Sequence, residues 1–140
     1  MVNLLIGPKG SGKTQILMDK ANNAVDTCKG NIVFIKKSHD DTYSLSFDIR
    51  VVCMDDYPEI AGIDSYAGFL LGMLSANNDI NNIFIDGLLK HSGINVEHMP
   101  KFIEELKKIS REYEVDFYVS LSATKDDLKT LDMNGCTLLN

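Results

Sequence analysis

Residues Val2–Thr14 read VNLLIGPKGSGKT and set the expectation for the whole chain. Their first part, Val2–Ile6, is a short run of aliphatic and β-branched residues, which predicts a strand buried on both faces near the centre of a sheet. Their second part, Gly7–Thr14, matches the G-x-x-x-x-G-K-[ST] pattern of a phosphate-binding loop. A strand that leads through such a loop into a helix predicts a parallel α/β domain.

The residue types of this loop suit an oligophosphate. Gly7, Gly10 and Gly12 allow backbone conformations in which successive N–H groups turn toward an anion. Lys13 adds a cation that can reach the β- and γ-phosphates, and Thr14 adds a hydroxyl that can bind Mg²⁺. We therefore predict that the loop binds ATP or another nucleoside triphosphate with magnesium. The predicted nucleotide-binding residues are Gly7, Pro8, Lys9, Gly10, Ser11, Gly12, Lys13 and Thr14.

Strand and helix patterns alternate along the rest of the chain. The predicted strands are 2–6, 31–36, 49–54, 82–86 and 115–121, with a further edge strand at 136–139. The predicted helices are 13–28, one capped by Asp64 or Ser65 that ends near Asn77, 100–113, and a short one at 124–131. Residues 37–47 are predicted to form a loop or short hairpin. This alternation predicts a three-layer α/β sandwich with a mostly parallel sheet of about five strands, whose first two form a right-handed βαβ unit.

A second motif completes the expected site. Ile83–Asp86 is an apolar run that ends in an acid, the Walker B pattern. In an open parallel sheet, ligands bind beyond the carboxyl ends of the strands, where both Asp86 and the phosphate loop would lie. Asp86 and Thr14 are therefore the predicted magnesium ligands, and Lys13 and Asp86 are the predicted catalytic residues.

On these two motifs the chain resembles the P-loop nucleoside-triphosphate hydrolase superfamily. Residues 1–128 resemble small stand-alone bacterial ATP-binding proteins, some of them labelled after the twitching-motility retraction ATPase, and more loosely RecA-like cores and thymidine-kinase-type folds. The resemblance implies ATP and Mg²⁺ as ligands, in a RecA-like or kinase-like variant of the fold. It implies no specific biological role.

The sequence predicts slow catalysis. Many P-loop ATPases carry a glutamate after the Walker B acid, whereas this chain has Gly87; Glu59, Glu97 or a residue of another chain could act instead. The arginines that clamp a transferring phosphoryl group are also scarce, since Arg50 and Arg111 are the only two. We therefore expect weak ATP hydrolysis, or hydrolysis stimulated by a protein partner or a second copy that supplies the missing groups.

Two alternative functions stay open at this stage. The loop sequence is also typical of nucleoside and small-molecule kinases, and a nucleotide-sensing module would bind ATP without consuming it. Thr124–Asp127 resembles the [NT]-K-x-D guanine motif, but the same residues fit a helix-capping pattern, which we prefer. Ser120 and Ser122 are either γ-phosphate sensors or ordinary strand-end serines.

Composition limits the remaining possibilities. The 140 residues fit a single domain, residues 1–140, with 44% hydrophobic and 24% charged residues. The net charge of −6, without a basic stripe, argues against nucleic-acid binding. No apolar run approaches membrane-span length, and a strand from Val2 leaves no room for a targeting peptide, so we expect a cytoplasmic protein without membrane contact.

The cysteines and histidines carry no recognisable site. Three cysteines stand far apart without C-x-x-C spacing, which predicts buried or half-buried thiols rather than disulfides or zinc ligands. The three histidines lack metal-ligand spacing and are expected at the surface. These residues are Cys28, Cys53, Cys136, His39, His91 and His98.

Overall fold

Six parallel strands form the one sheet of the computed structural model, which describes residues 1–140. In chain order they are β1 (Val2–Ile6), β2 (Asn31–Lys36), β3 (Ile49–Cys53), β4 (Ile80–Ile85), β5 (Asp116–Leu121) and β6 (Cys136–Leu138). Their order across the sheet is β3-β2-β4-β5-β1-β6, and every neighbouring pair is parallel. The α/β class and the parallel sheet are confirmed, and the C-terminal edge strand makes the sixth member.

Four helices cover the two faces of this sheet. They are α1 (Lys13–Thr27), α2 (Ile63–Ala76), α3 (Leu88–His91) and α4 (Met99–Tyr113). The buried side of α1 packs on one face of the sheet, and the buried sides of α2, α3 and α4 pack on the other. The predicted three-layer sandwich is therefore confirmed. None of these helices has the length and apolar character needed to cross a bilayer.

The two helical layers enclose cores of very different size. The core beneath α2, α3 and α4 contains 27 buried residues, whereas the core beneath α1 contains eight. In α4, Phe102, Ile103, Leu106 and Ile109 recur at helical spacing and form the buried stripe. The helix that begins at the end of the glycine-rich loop Gly7–Thr14 thus rests on the smaller core.

The strand order corrects one expectation about β1. This strand lies between β5 and β6, next to the edge, and not near the centre of the sheet. It is parallel to β2 but does not pair with it, because β4 and β5 lie between them. The connection through α1 therefore crosses two strands, which carries the first turn of α1 to the end of β4.

Several element boundaries also differ from the predictions. Helix α2 begins at Ile63 after Gly62, so neither Asp64 nor Ser65 is its cap. The predicted helix at 124–131 is reduced to the 3-10 turn Asp126–Leu128. Helix α3 was not predicted, because four residues are too few to show a helical period.

The predictions are confirmed for the three cysteines but not for every histidine. Cys53 and Cys136 are buried and Cys28 is half-buried, all with free thiols, as predicted. Cys28 lies before β2, at the amino-terminal edge of the sheet, and its thiol donates to Asn81 Oδ1 at 2.7 Å. His91, expected at the surface, is largely enclosed between α3 and α2, so that prediction is wrong.

Candidate functional site

Three aromatic rings stack across β2, β4 and β5 on the face that α1 covers. They belong to Phe34, Phe84 and Tyr118, with ring centroids 6.0 Å and 4.5 Å apart. Because side chains alternate along a strand, the residues two positions further on point to the same face. These residues are Lys36, Asp86 and Ser120. A polar row therefore follows the aromatic row at the carboxyl ends of the three strands, and α1 begins beside it.

Asp86 is the centre of this polar row. Its carboxylate accepts hydrogen bonds from the Thr14 hydroxyl at 3.0 Å and from the Ser120 hydroxyl at 2.8 Å. The Ser120 oxygen in turn accepts the Gly87 N–H at 2.7 Å, and the Asp86 N–H donates to the Ile35 carbonyl at 2.8 Å. Thr14 and Asp86 are 72 positions apart in the chain, and the fold brings the two predicted metal ligands into direct contact.

The phosphate loop has the backbone that its glycines were expected to allow. Gly10 and Gly12 adopt φ of 82° and 85°, the left-handed region that strains residues with a Cβ. Gly12 is the N-cap of α1 and offers no side-chain cap, and the first turn contains no acid. The first-turn amides of α1 therefore remain available to an anion, which the helix dipole also favours.

Lys13 folds back over the loop. Its ammonium donates to the carbonyls of Gly7 and Pro8 at 2.9 Å and 2.8 Å. Burial and the neighbouring charge of Lys90 lower the pKa of Lys13, and the Asp86 carboxylate partly opposes them. An anion bound beside this ammonium would raise the pKa of Lys13, as the Asp86 carboxylate does, and so favour the charged form.

A cavity of about 470 Å³ opens above these groups. Its volume falls within the range of small-molecule sites. Its lining is mostly polar and includes Gly10, Gly12, Lys13, Thr14, Asp41, Tyr43, Asp86, Lys90, Ser120 and Ser122. The structure thus places four of the predicted loop residues, together with Asp86, around one space.

The remaining predicted loop residues lie elsewhere. Gly7, Pro8 and Lys9 line a neighbouring cavity of about 510 Å³. Ser11 lines neither cavity; its amide donates to the Pro8 carbonyl at 3.2 Å and closes the loop.

The residues suggested to supplement the site do not approach it. Glu59, Glu97, Arg50 and Arg111 are exposed and line neither of these cavities. The one additional acid that lines the 470 Å³ cavity is Asp41, which adopts φ of 60°. Sequence reasoning had placed Asp41 in a polar loop, and nothing in its spacing indicated a position at the site.

Thr124 and Asp127 form a reciprocal cap. The Asp127 carboxylate accepts the Thr124 N–H at 2.8 Å, and the Thr124 hydroxyl accepts the Asp127 N–H at 3.2 Å. The hydrogen bonds of the capping pattern are present, but they enclose the 3-10 turn Asp126–Leu128 and do not start a helix. Since the Asp127 carboxylate is engaged by this cap, the resemblance to a guanine motif gains no support from its geometry.

The sequence analysis did not predict three residues that lie in or near the cavity: Lys36, Lys90 and His91. Lys36 is the polar end of an apolar strand, and its alternation with Phe34 is the signal that could have found it. Lys90 lines the cavity from α3. His91 Nε2 lies 2.8 Å from the Tyr66 hydroxyl, and burial lowers the pKa of His91 to about 4 despite the opposing charges of Asp86 and Asp55.

No protein-family model matches this chain, and no curated protein sequence matches it significantly.

Proposed function

We propose that this protein binds a nucleoside triphosphate, with ATP the expected one, together with Mg²⁺, and hydrolyses it slowly or when a partner stimulates it. The observation that supports this most is the contact of Thr14 with Asp86 at the mouth of the glycine-rich loop. A hydroxyl and a carboxylate that converge beside open helix amides are the groups that magnesium and phosphate need.

The phosphates would bind to the backbone of Gly10–Thr14 and to Lys13. The left-handed glycines let the amides converge, and the Lys13 ammonium needs only to exchange the Gly7 and Pro8 carbonyls for phosphate oxygens. Its three donors allow that exchange without leaving it unpaired.

The donor set at Thr14 and Asp86 fits Mg²⁺. This ion is usually held by one or two protein oxygens together with phosphate oxygens and water, and it would neutralise negative charge on the phosphates. Ser120 holds one oxygen of Asp86 through a bond of 2.8 Å, so the carboxylate is oriented before any ion binds.

Slow hydrolysis follows from the groups around the cavity. Asp41 is the one lining carboxylate besides Asp86, and it would be the residue to orient or deprotonate the attacking water. It is exposed and belongs to the loop at 37–47, so its position is not fixed by packing. No arginine lines the cavity, and an arginine can contribute about 10³ to 10⁵ in rate.

Isothermal titration calorimetry with and without Mg²⁺ tests the binding. We expect Lys13→Ala to weaken triphosphate affinity by about 10- to 100-fold, since a charge-assisted contact is lost. Asp86→Asn should remove most of the magnesium dependence, and Lys20→Ala, on the exposed side of α1, is the matched control. Unchanged affinity in both site variants, or no binding of any triphosphate by the wild type, would refute the proposal.

Phosphotransfer is a second candidate, favoured by one observation. A cavity of about 710 Å³ between α1 and the loop at 37–47 shares Tyr43 and Ser44 with the phosphate cavity. Its lining also contains Phe47 and Val51, so it could hold a nucleoside or another partly apolar acceptor. ADP production measured with and without candidate acceptors separates the two, because hydrolysis needs no acceptor.

A further inference from the structure

Lys36 is a buried cation without a carboxylate. The residue is 5% exposed, and its ammonium donates to the Asp40 main-chain carbonyl. None of the ion pairs in the structure includes it. The comparable buried lysine, Lys107, does have such a partner, the Glu104 carboxylate at 2.7 Å. Burial of an unpaired charge is costly, and one carbonyl leaves two of the three ammonium donors of Lys36 without a protein acceptor.

The surroundings of Lys36 show where an anion would lie. Lys36 lines a polar cavity of about 190 Å³ at the carboxyl ends of β2 and β4. This cavity and the 470 Å³ phosphate cavity share Thr14, Asp41, Asp86, Gly87 and Lys90. The two spaces therefore meet at the proposed magnesium ligands, on the side away from the glycine-rich loop.

Lys90 adds a second unpaired cation at this junction. It is exposed on α3, it takes part in no ion pair, and it lines both cavities. Three lysines from separate elements, Lys13, Lys36 and Lys90, thus surround the region beyond Thr14 and Asp86. The carboxylates that line the small cavity are those of Asp40, Asp41 and Asp86. A phosphoryl group that shares a divalent cation with Asp86 is the anion that this mixed set favours.

The size of the 190 Å³ cavity limits which ligand it can hold. A volume of about 190 Å³ is below the range of sites for drug-sized molecules, so a nucleoside or a similar acceptor does not fit. A single phosphoryl group does.

We propose that Lys36 and Lys90 form a subsite for the terminal phosphoryl group of the bound nucleotide and thereby distinguish a triphosphate from a diphosphate. The inference rests on the proposed function, since it requires a nucleotide held by Gly10–Thr14. In this arrangement, lysines supply the positive charge beside the terminal phosphoryl group that arginines supply in other phosphoryl-transfer sites.

The subsite connects directly to the loop at 37–47. The Asp40 carbonyl is the present acceptor for Lys36, and Asp41 follows in the left-handed region while lining both cavities. A phosphoryl group on the two remaining donors of Lys36 would lie in the same cavity as the Asp41 carboxylate and repel it. Tri- and diphosphate would then leave Asp41 in different positions.

Calorimetry at constant Mg²⁺ with the non-hydrolysable analogue adenylyl-imidodiphosphate and with ADP tests the subsite. Lys36→Met and Lys90→Met keep the side-chain length and remove the charge. We expect each to lower affinity for the triphosphate analogue by about 10-fold or more and to change ADP affinity by less than about twofold. Lys37→Met is the matched control, because Lys37 lines the same small cavity but its ammonium is already paired with Asp55 at 3.2 Å. It should leave the ratio of the two affinities unchanged.

The outcomes separate this inference from the proposed function. Wild-type protein that binds neither nucleotide would overturn both. Wild-type protein that binds both, with Lys36→Met and Lys90→Met lowering the two affinities equally or not at all, would overturn the subsite alone. A further titration adds inorganic phosphate to the ADP complex. If the variants lose phosphate binding while the ratio for the nucleotides stays unchanged, the subsite serves a separate anion and the inference is wrong.

Discussion

At the scale of single residues, Asp86 depends on its neighbours for its orientation. Both of its carboxylate oxygens accept hydroxyl hydrogen bonds, from Thr14 and from Ser120, and its amide is held by the Ile35 carbonyl. A carboxylate fixed in this way loses less conformational entropy when an ion binds. Ser120 is therefore a positioning residue for the proposed metal site, although it needs no contact with the ion.

Ser120→Ala tests this role. The change removes the hydroxyl that holds Asp86 and leaves the Gly87 N–H without its acceptor. We expect magnesium-dependent affinity for the triphosphate to fall by about 10-fold, within the range seen for groups that support a metal ligand. Affinity measured in EDTA should hardly change.

Ser122→Ala is the control, because Ser122 lines the same cavity but is exposed and makes no contact with Asp86. An equal loss with and without magnesium would show that Ser120 matters for the fold and not for the metal site.

Some residues of the candidate site could be predicted from the sequence, and others could not. Gly10, Gly12, Lys13, Thr14 and Asp86 line the cavity and were expected from the sequence, because a short pattern specifies both their types and their spacing. Lys36 and Asp41 were not, because their place at the site depends on which strand lies beside β4, and no local sequence pattern shows that.

Strand order is a long-range property, and no local pattern records it. β2 and β4 are neighbours in the sheet although β3 and α2 lie between them in the chain. The contact of Lys36 with the space beside Asp86 exists only because of that neighbourhood. Sequence periodicity finds the strands, and packing of the helices on the two faces selects how they are ordered.

At the scale of elements, α3 joins the site to α2. This short helix directly follows Asp86 and Gly87, presents Lys90 to the cavity and ends at His91. His91 stacks on Tyr66 of α2 and shares a hydrogen bond with its hydroxyl, while the buried His91 Nδ1 has no partner. A protonated imidazole would be poorly solvated there, which is why the pKa of His91 falls to about 4.

We expect this histidine to make stability depend on pH. The unfolded chain binds a proton at His91 near pH 6.5, whereas the native protein does so only near pH 4, so stability falls as the pH drops between these values. The loss should be on the order of 2 kcal/mol in the free energy of unfolding between pH 7 and pH 4.5. Urea denaturation at the two values measures it.

His91→Gln is the comparison, because its amide can still accept from Tyr66 but does not titrate. The variant should lose less stability than the wild type over the same interval, whatever its stability at pH 7. Equal losses in the two proteins would assign the acid sensitivity to other groups. His98→Gln, at an exposed position before α4, should behave as the wild type does.

The elements themselves were largely predictable where they are long. α1 and α4 were placed within one residue at each end, because their apolar positions recur at helical spacing over four turns. The start of α2 was misplaced because Gly62, and not a polar side chain, precedes it. The segment at 124–131 failed as a helix because its capping residues close a single 3-10 turn.

At the scale of the whole molecule, the sheet separates a large core from a small one. The larger core holds α2, α3 and α4, and the smaller one holds α1 through Leu17, Met18 and Ala21. Less buried apolar surface means a lower free energy of local opening. The helix that carries the phosphate loop is therefore the part of the sandwich that we expect to open most readily.

Hydrogen exchange with and without nucleotide tests this difference. In the free protein, amides of α1 should exchange faster than those of α4. Saturating Mg²⁺ and adenylyl-imidodiphosphate should slow exchange in α1 by about 100-fold when the ligand is at 100 times its dissociation constant, and α4 should change less unless it opens with the whole protein. Equal protection of α1 and α4 from exchange in the free protein would contradict the inference that the smaller core makes α1 open more readily.

The half-buried thiol of Cys28 has a practical consequence. All six strands run the same way, so this cysteine, placed before β2, sits at the end of the sheet opposite Asp86 and the glycine-rich loop. The other two thiols are buried. A maleimide dye or a biotin linker should therefore attach at one place, and a molecule tethered to a glass surface through it would keep the cavity beside Asp86 turned toward the solution.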